Sequence, residues 1–151
     1  MAKFVFKLQN ILSVKEKLED QAKAEYGMEL AKLREEEEKK LRLEQRKMYY
    51  EEKLTNALFD TLDLRRIRQL EDGIEGIKYD IYMQELVILQ QEEAVERARQ
   101  RLDEAMKERK IYEKLKERAF ESFKLELLAA EQKEVDELVS FRHGTTEESE
   151  D

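Results

Sequence analysis

The sequence predicts an all-α protein, a long antiparallel two-helix coiled-coil hairpin with a disordered acidic C-terminal tail, and three observations carry that prediction. Proline is absent from all 151 residues, where average usage near 5% would supply roughly seven. An apolar seam in steps of three and four runs from Ile74 to Phe123, the spacing of one arm of a coiled coil. Two glycines, Gly73 and Gly76, stand close to the midpoint of the chain, where such an arm needs a turn to meet a partner.

Helix one is expected over about residues 3–70. Its seam opens with Leu8, Ile11, Lys15, Leu18 and Ala22, then steps by four through Tyr26 and Leu30 to Leu33. That insertion is a stutter, which locally unwinds the supercoil. The charged stretch from Lys32 to Lys47 places Glu35, Glu36 and Glu38 four residues before Lys39, Lys40 and Arg42. Each such pair stabilises an exposed helix by about 0.2–0.5 kcal/mol. The seam is thin there, with Leu41 and Met48, and recovers through Leu54, Leu58 and Leu62. The turn is expected over about 71–76, because Asp72-Gly73 followed by Gly76 is the strongest turn signal in the chain.

Helix two is expected over about 77–141. The seam runs through Ile74, Ile77, Ile81, Gln84, Ile88, Gln91, Val95, Ala98, Leu102, Ala105, Arg109, Tyr112, Lys116, Ala119 and Phe123. After a phase change near Lys124, Leu128, Glu131, Val135 and Leu138 continue it. Residues 144–151 hold no apolar side chain and are expected to be disordered. Residues 1–143 thus make one hairpin, a rod on the order of 100 Å long with both chain ends at one tip.

Composition narrows the function. With 44% charged residues and a mean hydropathy of -0.85, too little apolar material remains for a thick core. Cysteine is absent, which excludes a disulfide framework and a thiolate nucleophile. The opening Phe4-Val5-Phe6 is too short and polar for a signal peptide, and no apolar run reaches the length of a membrane span. A soluble, cytoplasmic protein without direct membrane insertion is expected. Net charge is -8, and from Glu121 onward ten acidic residues face only Lys124, Lys133 and Arg142. That end therefore carries -7 and the first 120 residues only -1, a distribution that argues against nucleic-acid binding.

Carboxylates abound, but catalysis needs a concave site that holds them and shifts a pKa, which a two-helix hairpin does not offer. His143 stands alone, without a second His or any Cys to share a metal. Gly73 and Gly76 sit in no phosphate-binding pattern. No catalytic residue, cofactor or metal is expected. One feature rises above the background: with Ile81 and Ile88 at inner positions, Tyr79, Tyr82, Leu86 and Leu89 form an apolar stripe on the outer face. An exposed apolar patch on a polar protein marks a contact site. The alternative is a register off by one position, or a face buried in a bulge or by self-association. Tyr49, Tyr50 and Phe59 stand at a comparable height and would extend the stripe.

These residues also carry a resemblance. Phe4, Phe6 and Leu8 followed by Ile11 and Leu12, the Tyr79, Tyr82, Leu86 run, the stretch from Lys110 to Arg118, Glu126, and Glu131 to Glu137 resemble, in order and spacing, the FliJ family over nearly the whole chain to about His143. That family is the small component of the flagellar type III export apparatus. The resemblance implies a cytoplasmic coiled coil, similar to the two long helices of the rotary-ATPase gamma subunit, that lies peripherally at the membrane face of the flagellar base. It implies as partners a hexameric export ATPase, the cytoplasmic domain of the membrane export gate, and export chaperones. Phe4, Phe6, Leu8, Leu115, Arg118, Glu131, Gln132, Asp136 and Glu137 would then engage the ATPase ring, and Tyr79, Tyr82, Leu86 and Leu89 the gate. The acidic tail and the phase of Tyr49 to Phe59 depart from the family's pattern. The competing reading is a purely structural spacer or dimerisation arm. The Arg97 to Arg118 run suggests a nucleic-acid or acidic-membrane binder, but Glu and Asp interleave there.

Overall fold

A computed structural model of the chain describes residues 2–150, with side chains to Thr145. Two helices make up the fold, α1 (Gln9–Phe59) and α2 (Leu64–Glu150), packed antiparallel as a hairpin. They are unequal, 51 and 87 residues long. Residues up to Glu19 with those from Ala105 onward form one compact unit, and Asp20–Glu104 form a second.

The turn is not at the glycines. It lies at 60–63, where Asp63 caps α2: its Oδ1 accepts the amides of Arg65 at 3.1 Å and Arg66 at 3.3 Å, and its carbonyl accepts that of Ile67 at 3.0 Å. An Asp at this position satisfies amides that have no partner inside the helix. Gly73 and Gly76 lie inside α2 with no positive φ. A helical glycine costs about 1 kcal/mol relative to alanine, and the buried run Ile67, Leu70, Ile74 and Ile77 spans both of them. Ending helix one at Leu70 would cut that run in two, so burial outweighs the local turn signal.

All fifteen inner positions expected on α2 are buried or half-buried, and Ile67 and Leu70 extend the seam toward the turn. The α1 seam differs from expectation. Leu8, Ile11 and Leu18 are exposed, while Gln9, Leu12 and Glu19 turn inward. From Lys15 through Glu19, Ala22, Tyr26, Glu29, Leu33, Glu36, Lys40, Leu43, Lys47, Tyr50 and Leu54 to Ala57, the inner positions keep alternating steps of four and three. No stutter is needed, because Glu29 takes the place that an all-apolar seam leaves empty. Leu41, Met48, Leu58 and Leu62 are accordingly outside.

Polar residues hold inner places on α1 because polar residues face them from α2. In the second unit, Gln84 Nε2 donates to the Glu36 carbonyl at 2.9 Å and to its carboxylate at 2.6 Å. Gln91 does the same to Glu29, at 3.0 and 2.6 Å. In the first unit Arg109 pairs with Glu19 and, at 2.7 Å, with Glu113, and Lys116 donates to Gln9 at 2.7 Å. Beyond Phe123 every described α2 side chain is exposed. Leu128, Glu131, Val135 and Leu138, expected to carry the seam, have no α1 residue opposite them. Helix also continues past the expected end near Phe141, through to Glu150; the tail expected to be disordered falls mostly on residues whose side chains lie outside the described set.

Candidate interaction surfaces

The tyrosine stripe sits in the second unit, on the face of α2 turned away from α1. Ile77, Ile81, Gln84, Ile88 and Gln91 occupy the inner face, and helical geometry then sends Tyr79 and Leu86 to the opposite side and Tyr82 and Leu89 beside them. Tyr79, Tyr82, Leu86 and Leu89 are all exposed, Tyr82 by 58% and Leu86 by 39%. The two Gln rungs behind the stripe hold the Glu29 and Glu36 carboxyls below the usual carboxylate range. The amide hydrogen bonds from Gln91 and Gln84 are the main cause, with Lys32 and Lys39 assisting and desolvation opposing. On α1, Tyr50 turns inward while Tyr49 and Phe59 stay exposed. The Tyr49 ring meets Tyr50 edge-on at 5.9 Å between centroids and lies beneath the Lys53 ammonium at 4.6 Å, while Phe59 stands at the end of α1.

The residues assigned to the ring lie in the first unit and play different parts. Phe4 and Phe6 belong to a non-helical segment ahead of α1 that packs back on α2: Phe6 is buried, and the Phe4 ring meets Phe120 at 5.1 Å and Phe123 at 5.5 Å between centroids. Leu8, Leu115, Arg118, Glu131, Gln132, Asp136 and Glu137 are exposed, with Gln132 donating to Asp136 at 3.1 Å. The last four lie on the part of α2 that extends past the α1 partner, where Leu125, Leu128, Val135 and Val139 make a further apolar stripe. Arg109 is held more firmly cationic by Glu113 and Glu19, and Arg99 by Glu96 and Asp103.

Sequence reasoning missed the Gln84 and Gln91 rungs as partners of Glu36 and Glu29. The signal was present: each pair of residues is seven apart on its own helix. Among the described residues no cluster of His, Asp or Glu is placed to hold a metal, and no helix is long and apolar enough to cross a membrane.

The geometry defines a class, a two-helix antiparallel hairpin with apolar side chains exposed on the outer face of α2 and on its unpaired end. The family model described as flagellar FliJ protein matches residues 4–148. The chain belongs to the FliJ family, a non-catalytic component of the flagellar type III export apparatus. It is 25% identical over 135 residues to the flagellar FliJ protein of Bacillus subtilis (strain 168), covering 89% of this chain and 92% of that protein. Among solved structures it is similar to one described as a YscO homolog from Chlamydia trachomatis, with a TM-score of 0.49, 23% identity, and coverage of 97% of this chain and 99% of the other.

Proposed function

We propose that the protein is a stalk and adaptor of flagellar export, resting in the cytoplasm against the membrane face of the flagellar base. It couples a hexameric export ATPase to the cytoplasmic domain of the membrane export gate and to export chaperones. Tyr79, Tyr82, Leu86 and Leu89 contact the gate. The ring takes Phe4, Phe6, Leu8, Leu115, Arg118, Glu131, Gln132, Asp136 and Glu137, with Phe4 and Phe6 acting as packed anchors of that end and the other seven as its exposed contacts.

The observation that carries this reading is the exposure of the whole tyrosine stripe on the side of α2 that faces away from α1. Two aromatics and two leucines at helical spacing cost solubility without contributing to the seam, which is the mark of a contact surface. The chemistry of export stays with the ATPase. Tyr82→Ala and Leu86→Ala, made separately, are expected to leave circular dichroism and melting temperature nearly unchanged while binding to the gate's cytoplasmic domain weakens. A large fall in melting temperature, or unchanged binding to the gate, would remove the stripe from the proposal. Stimulation of ATP hydrolysis by the cognate hexameric ATPase tests the ring half independently.

A further inference from the structure

In the first unit, the N-terminal segment, α1 and α2 enclose a groove on the side of the hairpin that the seam leaves open. Phe4, Leu12 and Phe120 make its floor, and Glu16, Glu113 and Glu117 stand around it. Leu12 is only 2% exposed, whereas Phe120 is 40% exposed, so the floor presents an aromatic ring to any occupant.

The charges around this groove are not balanced from within. Glu113 is engaged by Arg109 at 2.7 Å. Among the described residues, Glu16 and Glu117 have neither an ion pair nor a hydrogen bond. The neighbours of Glu16 three and four places away are Leu12, Ser13, Glu19 and Asp20, none of them basic. Glu117 stands four residues after Glu113 and four before Glu121, and like charges at that spacing destabilise a helix. Lys116, also at the groove, donates to the neutral Gln9 amide at 2.7 Å and keeps its charge, so a lining of Glu16, Glu113, Glu117 and Lys116 stays acidic on balance. The ring at the floor already holds a cation, the Lys124 ammonium 4.5 Å from the Phe120 centroid, whose place an incoming guanidinium would take.

We propose that this groove docks an amphipathic segment of another protein through an arginine flanked by apolar side chains. A guanidinium is planar, stacks on an aromatic face and presents several donors at once. It matches a floor of Phe4 and Phe120 and a rim holding two unengaged carboxylates. The flanking apolar side chains cover what remains of the two rings. The groove shares Phe4 with the end proposed to meet the ring, and a titration that contains no ATPase separates this inference from that reading.

The test is titration of the full chain with a short amphipathic peptide of leucine, alanine and arginine, read by calorimetry and by the aromatic NMR signals of Phe4 and Phe120. Binding that shifts those signals and weakens with salt is expected. Affinity should fall about tenfold or more in the Glu16→Gln/Glu117→Gln chain, whose helix content by circular dichroism should match that of the unaltered chain. The control Glu38→Gln/Glu52→Gln chain, altered at two exposed carboxylates away from the groove, should bind as the unaltered chain does. Four outcomes overturn the proposal: no binding to the unaltered chain, equal binding to the groove variant, an equal loss in the control, or equal binding of a peptide with glutamate in place of arginine. Sedimentation in which the groove variant alone dissociates a self-associated chain would also overturn it, by making a second copy the occupant.

Discussion

Leu12 and Ile11 are adjacent apolar residues that the structure treats in opposite ways. Leu12 is buried and Ile11 exposed, although an all-apolar seam would prefer Ile11. Leu12→Ala should therefore cost about 2–4 kcal/mol, whereas Ile11→Ala should cost less than about 0.5 kcal/mol; chemical denaturation of the two variants measures the difference. The reverse order would restore the register read from apolar spacing alone. The Gln rungs add a pH dependence. Because Glu29 and Glu36 titrate below the ordinary carboxylate value in the folded state, their contribution is complete above the unfolded pKa, near 4.3, and is lost as pH falls through the folded value. Thermal melts of the unaltered chain should thus decline more steeply below about pH 4.5 than those of Gln84→Ala/Gln91→Ala, with the two curves converging in acid.

At the scale of the helices, α2 was legible nearly residue by residue, since from Ile74 to Phe123 its seam is mostly apolar and its few polar members fall on the same period. The polar members of α1 were not legible, because periodicity reads hydrophobicity and cannot see that Glu19 has Arg109 opposite it, or Glu36 Gln84. The stutter read between Ala22 and Leu33 arose from refusing Glu29 an inner place. The turn was misplaced for a related reason: a glycine pair is a strong local signal, while the Asp63 cap looks like one charged residue among many. The position of Gly73 and Gly76 inside α2 has a direct consequence. An added Cβ meets nothing within 4 Å at either position, so Gly73→Ala and Gly76→Ala should each stabilise the fold by about 0.5–1 kcal/mol. Destabilisation by either would show that the chain bends there.

Over the whole molecule, fold class and family were readable because both depend on patterns that extend along the chain: absent proline, sustained heptads, and the order of motifs from Phe4 to Glu137. The outward direction of the tyrosine stripe was readable too, since the α2 register was. The groove at Phe4, Glu16 and Phe120 was not, because it brings together residues more than a hundred positions apart and depends on the α1 register, which apolar spacing misassigned. Unequal helices explain the rest. An earlier turn gives α2 more residues than α1 can cover, leaving the apolar side chains from Leu125 to Phe141 exposed at the acidic end of the chain.

The antiparallel register set by the 60–63 turn underlies all these assignments, and the cysteine-free chain allows it to be measured by paired substitutions. Glu36→Cys/Gln84→Cys should form an intrachain disulfide on oxidation in dilute solution, while Asp63→Cys/Gln84→Cys, the pair that a turn at Gly73 and Gly76 would bring together, should not. A disulfide in the second pair and none in the first would contradict the register, and with it the placement of every inner and outer residue.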